Sequence, residues 1–289
     1  MTSFYTLPSH LEGDARRLNQ QHQVFRLLLS SSSPSPPQSS LLLTPAPPPA
    51  QGPILDLGTG TGIWASEYAT ENPSHAIHAV DLFPPSHPHP PNCHYASLDV
   101  ETPSLPTWDA TIPPSTYALI HTRMFLMVLR DPHAVLRRIF RALAPGGRVE
   151  FQEKQDPYRA DDPSPAAQDT PLLRHSRLRI EAAKKCGLDR TVAGKIAGWM
   201  AEVGFADVRV EERRIPIGGW MDGDEAMKMA GELFKECLVW GTEGICKQVF
   251  MEGLGWDAGQ VRENVKETVA DLGRGEVYAA ILFIRGVKP

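Results

Sequence analysis

The sequence predicts an α/β protein built on an open, largely parallel sheet with helices on both faces, and three observations carry that prediction. From Gly52 onward, short apolar runs alternate with stretches of helical periodicity, the pattern of strands buried on both sides. A glycine-rich stretch, Asp56-Leu-Gly58-Thr59-Gly60-Thr-Gly62, falls between the first apolar run and the first helical one. Acidic residues follow the next two runs, at Asp81 and Asp99.

Taken in order, Leu11 to Leu29 places Leu11, Ala15, Leu18, Val24, Phe25 and Leu28 at helical spacing behind Ser9, a suitable cap. Residues 1–29 are therefore expected to form a helical lid ahead of the main domain. Residues 30–50 are 14 Ser or Pro out of 21, which cannot sustain a helix and reads as a loose linker. The main domain spans 51–289. Pro53–Leu57 is its first strand, Ile63–Thr70 a helix, Ala76–Val80 the second strand, and Cys93–Leu98 and Tyr117–Thr122 the next two. Asp131-Pro132 opens a helix with Val135, Leu136, Ile139, Phe140 and Leu143 on its buried face. Pro145-Gly146-Gly147 stops it before a strand at Arg148–Gln152. Beyond lie a helix at Thr191–Val203 ended by Gly204, and strands at Val208–Ile215 and Tyr278–Ile284. Helical stretches at Pro171–Lys185, Asp224–Phe250 and Ala258–Leu272 fall outside this pattern, as insertions at about 156–190 and 220–272. They are expected to wall the carboxyl ends of the strands, where open α/β sheets bind ligands.

Composition removes several function classes. Lys plus Arg is 29 against 34 for Asp plus Glu, a net −5 with no basic run, which argues against a nucleic-acid partner. No apolar stretch approaches the roughly 18 residues that cross a bilayer, so no membrane association is expected. Cys93, Cys186, Cys237 and Cys246 form no CxxC pair and the amino-terminal residues lack an apolar signal core, which places the expected location in the cytoplasm, or in the nucleus. His87-Pro-His89 has no partner carboxylates or thiols at ligand spacing, so no metal is expected.

A glycine loop alone also suits a tight strand-to-helix turn with no ligand, but Asp56, Asp81 and Asp99 favour a ligand. A nicotinamide dinucleotide needs G-x-G-x-x-G so that its pyrophosphate meets the helix; here Ile63 occupies the last glycine position. The D-x-G-x-G-x-G loop instead suits a ligand without phosphate, its amino-acid part against the loop and its ribose hydroxyls on the acid after strand two. S-adenosylmethionine is such a ligand.

The succession DLGTGTG, VDLF, LDVE, YALIHTRM and LAPGGRVEFQE resembles the class I S-adenosylmethionine-dependent methyltransferases. The flanking motifs Tyr5–Pro8, Arg17–His22, His121-Thr-Arg123, Glu202–Phe205 and Arg285–Pro289 are similar to the fungal secondary-metabolism, LaeA-like branch. The resemblance implies a Rossmann-like seven-stranded sheet with its last strand antiparallel. It implies that Asp56, Gly58, Thr59, Gly60 and Gly62 contact the methionine part, Asp81 the ribose, Leu82 the adenine face, and Asp99 with Val100 the adenine edge, with His121 nearby. Pro132 stands where the branch usually has tryptophan, and the Ser/Pro insert is a further departure.

Methyl transfer from a sulfonium is an in-line displacement, so alignment and exclusion of water come first and a base is optional. Arg123, directly after the fourth strand, is the expected substrate contact, because a guanidinium can hold an anion bidentately. Tyr5 and Arg17, on the amino-terminal segment, are further substrate-side candidates. His22 and His175 are the candidate general bases. The expected function is methylation of a small molecule of secondary metabolism, at oxygen first. The rivals are a regulatory protein that binds S-adenosylmethionine and acts through partner proteins, and a cyclase that keeps the cofactor without transferring its methyl.

Overall fold

A computed structural model describes residues 12–30, 41–44, 46–47 and 51–289. Its strands are β1 (Ile54–Leu57), β2 (Ile77–Asp81), β3 (Cys93–Ser97), β4 (Tyr117–Arg123), β5 (Leu143–Ala160), β6 (Ala206–Pro216) and β7 (Val277–Val287). They form one sheet in the order β3-β2-β1-β4-β5-β7-β6. The first five pair in parallel, and β7 runs antiparallel to both β5 and β6. This is the seven-stranded Rossmann-like sheet that the sequence predicts. The order reverses between β1 and β4, and a crevice opens at their carboxyl ends, where such sheets bind ligands.

The helices are α1 (Glu12–Ser30), α2 (Ile63–Glu71), α3 (Leu105–Thr111), α4 (Pro132–Ala142), α5 (Pro165–Gln168), α6 (Pro171–Lys185), α7 (Ala193–Val203), α8 (Glu225–Leu254) and α9 (Ala258–Asp271). Asp131 caps α4 by accepting from the Ala134 N–H at 2.8 Å, with Pro132 at the first helical position. Val135, Leu136 and Ile139 of α4, with Ile196 and Met200 of α7, bury one sheet face around Leu57, Ile120 and Ile284. Trp64 and Tyr68 of α2 cover Ile54, Ile77 and Leu119 on the other face.

Two expectations are corrected here. The amino-terminal helix is packed into the domain and not tethered ahead of it, while its Arg17, Leu18 and Gln21 line the cavity described below. Val24, Phe25, Leu28 and Leu29 of α1 are fully buried with Phe234 of α8 and Ile281 and Phe283 of β7. At about 1.5–3 kcal/mol for each buried side chain, they make α1 part of the core. Ser9, its expected cap, lies outside the described residues. The second correction concerns 30–50, whose described part is not loose. Leu41 and Leu42 are buried beside Trp64 and Ala65, and the Leu43 and Thr44 N–H groups donate to the Glu150 carboxylate at 3.1 and 2.6 Å. The Leu41 carbonyl accepts from Trp64 Nε1 and Gln152 Nε2.

The carboxyl side of the sheet also departs from expectation. β5 runs well beyond Gln152, so Asp156 lies on a strand and not in the expected insertion. The insertions pack together as α6, α8 and α9 around Ala182, Cys246, Phe250 and Val261, and α1 packs along α8. Among the described residues, no helix is long and apolar enough to cross a membrane.

Candidate active site

β1 delivers the glycine loop to the sheet edge. Gly58, Gly60 and Gly62 have φ of 78°, 57° and 73°, a left-handed region that costs a glycine nothing. At Gly58 a Cβ would strike the Phe125 ring, and at Gly62 the Tyr95 hydroxyl. Gly60 differs: the nearest atom to a Cβ there is Leu18 Cδ1 at 3.6 Å, an ordinary contact, and Gly60 lines the cavity described below.

The acids fix the loop from below and from the side. Asp56 is buried, accepting from His121 Nδ1–H at 2.8 Å and Thr59 Oγ1–H at 2.6 Å. The His121 ring stacks on Trp64, centroids 3.9 Å apart and 8° from coplanar. Its Nε2 is buried without a partner among the described residues. Asp81 ends β2 and accepts from the Gly60 N–H at 2.9 Å and the Phe83 N–H at 3.1 Å. Burial pushes its carboxyl up from the ordinary value while those N–H groups pull it down. Leu82 and Asp99 are exposed and Val100 is buried. Every residue of the expected cofactor set except Gly62 lines one cavity of about 910 Å³, which Arg17 and Arg123 also line.

His22 is fully buried on α1 between Arg123 Nη2, 3.0 Å from its Nδ1, and Glu67 Oε2, 2.8 Å from its Nε2. A guanidinium has no acceptor, so Nδ1 takes the arginine proton and Nε2–H donates to Glu67. Burial, then the charge of Arg123, lowers its pKa to about 2. In this arrangement both ring nitrogens of His22, the expected base, are engaged by Arg123 and Glu67. Arg123 also lies over the Phe25 ring at 5.0 Å, and burial lowers its pKa to about 10. Arg17 is paired with Asp14 at 2.6 Å.

His175 is buried on α6 behind the cavity wall. Its Nδ1 lies 2.6 Å from Asn264 Oδ1 and its Nε2 3.5 Å from Cys246 Sγ. Burial lowers its pKa to about 4. Cys246 lines the cavity whereas His175 does not, so the geometry gives this candidate base no direct reach. Tyr5 lies outside the described residues.

The sequence reading missed the far end of the cavity, formed by Lys154, Tyr158, Arg179 and Arg190. Asp156 is fully buried behind them, paired with Lys154, with Arg179 Nη2 at 2.8 Å and with Arg190 Nε at 2.9 Å. These three cations hold its carboxyl well below the usual range. The alternation Lys154-Gln-Asp156-Pro-Tyr158 was the available signal, since it puts Lys154, Asp156 and Tyr158 on one face of a strand. Met124, which follows Arg123 at the cavity, has a φ of 55°, a conformation uncommon for non-glycine residues.

Residues 21–210 match the family model described as a methyltransferase domain. The chain is 28% identical over 233 residues to a methyltransferase, pytC, of Aspergillus terreus, covering 80% of this chain and 69% of that protein. It is 28% identical over 249 residues to the secondary metabolism regulator laeA of Aspergillus niger, covering 80% and 60%. Among solved structures, phosphoethanolamine N-methyltransferase 2 of Haemonchus contortus, crystallised with S-adenosyl-L-methionine, is similar in fold. That match has a TM-score of 0.50 at 17% identity and covers 100% of this chain and 60% of that one.

Proposed function

The chain belongs to the methyltransferase-domain family and is an S-adenosylmethionine-dependent enzyme, and on that premise we propose that it methylates an oxygen atom of a small molecule in fungal secondary metabolism. The observation that carries this reading is the single cavity that joins the glycine-loop edge to the wall of α8. At about 910 Å³ it is near the top of the range of ~300–1,000 Å³ for small-molecule sites, which suits a cofactor and an acceptor side by side.

The edge fits the cofactor. Gly60 lines the cavity with only an ordinary contact, to Leu18, where a side chain would stand, and His121 Nε2 is a buried polar atom without a partner among the described residues. Asp81 would accept from the ribose hydroxyls, Leu82 and Val100 would flank the adenine, Asp99 would take its amino group, and the glycine loop would receive the methionine part. When bound, S-adenosylmethionine supplies a methyl group already activated on a sulfonium. The chain's own task is then to orient the acceptor and exclude water, for which the half-buried Arg123 and the α8 residues Phe234 and Leu238 line the cavity.

The test is a mass-spectrometric screen of phenols, carboxylic acids and amines with S-adenosylmethionine and the purified chain. The expected result is a product heavier by one CH2 whose methyl resonance is that of an O-methyl group. Cofactor binding with no product across the panel would overturn the catalytic reading, and an N-, C- or S-methyl product would overturn the assignment to oxygen.

A further inference from the structure

The inner end of the cavity is a cationic pocket with hydrogen-bond donors that have nothing to donate to. Lys154, Arg179 and Arg190 line it, and their common counter-ion Asp156 sits behind them. Asp156 offers one negative charge against three positive ones, so the pocket keeps an excess of positive charge. Lys154 Nζ and the Arg179 guanidinium lie over the Tyr158 ring at 4.7 and 5.2 Å. The Tyr158 hydroxyl is buried beside Arg179, which can donate only to its oxygen, and Arg179 Nε finds no acceptor among the described residues. The two cations over the ring have no acceptor atoms, so the phenolic O–H has no acceptor among them. Leaving buried donors unmet costs about 1–3 kcal/mol each. A group that brings oxygen acceptors and negative charge relieves both deficits.

We propose that this pocket binds a carboxylate group of the acceptor molecule, held by Arg179, Arg190 and Lys154 and by a hydrogen bond from Tyr158. The assignment rests on the methyltransferase reading above and names the chemical class of its substrate. A carboxylate suits the site because guanidinium groups match its planar pair of oxygens, and its single charge fits the modest excess. Burial lowers the Lys154 pKa to about 7, so at neutral pH the excess lies between one and two charges. Glu153, whose Oε1 accepts from the Phe125 and Leu126 N–H groups, both at 2.9 Å, is pushed up by burial to about 7, so it removes less than one further charge from this excess, and it does not line the cavity. Arg123, tied to His22, lines the same cavity and orients the rest of the acceptor.

The experiment uses the full chain and matched pairs of ligands: aromatic and aliphatic monocarboxylic acids, each with its primary amide, and inorganic phosphate as a third arm. Affinity for S-adenosylhomocysteine is measured first by calorimetry and tests the methyltransferase reading by itself. Ligand affinities are then measured by ligand-observed NMR on wild type, Tyr158→Phe and Arg179→Gln, with and without that cofactor product. The expected result is that at least one acid binds tenfold or more tightly than its amide. Tyr158→Phe, which keeps the packed ring, should weaken the acid several-fold and leave S-adenosylhomocysteine affinity and Tm unchanged. Arg179→Gln should weaken it further. Equal affinity for acids and amides, acid binding indifferent to Tyr158→Phe, or no acid bound by the folded protein would each overturn the proposal. Phosphate binding more tightly than every acid would overturn the assignment to carboxylate.

Discussion

Asp81→Ala removes the acid that ends β2, and its effects on the free protein and on the complex should differ in size. In the free protein the Asp81 carboxylate accepts from the Gly60 and Phe83 N–H groups at 2.9 and 3.1 Å. The edge is half-exposed, so water replaces the lost acceptor and the stability loss should be about 1 kcal/mol, at the low end for hydrogen bonds to a charged group. With the cofactor bound, water is displaced and two ribose hydroxyls lose their charged acceptor together. That deficit is about 2–3 kcal/mol, which corresponds to a Kd roughly 30- to 140-fold weaker. Asp81→Asn keeps one acceptor oxygen, and its effect should be intermediate. Titration calorimetry with S-adenosylhomocysteine reads the affinity, and thermal melting without ligand reads the stability. An Asp81→Ala protein with an unchanged Kd and an intact fold would refute the placement of the ribose at this edge.

Two further outcomes are expected. Leu41→Ala should cost about 2–5 kcal/mol, the range for emptying a packed leucine site; a urea midpoint shift worth less than about 0.5 kcal/mol would show that the segment beside Trp64 holds nothing in place. Glu153 is pushed up by burial to about 7 from 4.5, so in the folded chain it is protonated at pH values where the unfolded chain is ionised. Its contribution to stability is present below 4.5 and is lost as pH rises through 7. The stability of wild type relative to Glu153→Gln should therefore rise by up to about 3 kcal/mol as pH falls from 7 to 4.5, and a difference independent of pH over that window would refute it.

Much of the fold is local information. A strand buried on both faces writes itself as a continuous apolar run, and the left-handed turns of the loop can be read from Gly58, Gly60 and Gly62. Asp131-Pro132 marks a helix start whose capping bond the structure contains. What escaped notice depends on partners far along the chain. Asp156 meets Arg179 and Arg190, 23 and 34 residues away, and no spacing within β5 announces those pairs. α3 is too short for periodicity and holds Pro106 in its first turn, so only its cap, Ser104, pointed to it. Leu41-Leu42-Leu43 was masked by the Ser and Pro around it, although three consecutive leucines in such a stretch are themselves a sign of burial. His22 lies at the helical spacing of a core position, and nothing in the sequence shows that Arg123 and Glu67 take both of its nitrogens.

The burial of α1 has a consequence for how this protein is handled as a fragment. Composition suggests cutting the chain after the Ser/Pro-rich stretch, and a protein begun at Gln51 would keep the whole sheet. It would also lose Val24, Phe25, Leu28 and Leu29 from over Phe283 and Ile281, together with the Leu41 and Leu42 cover on Trp64. The bare face would be a broad apolar patch of the kind that drives self-association in solution. Expression boundaries, tags and fusions should therefore leave the first helix joined to the sheet, since a shorter fragment would expose that face.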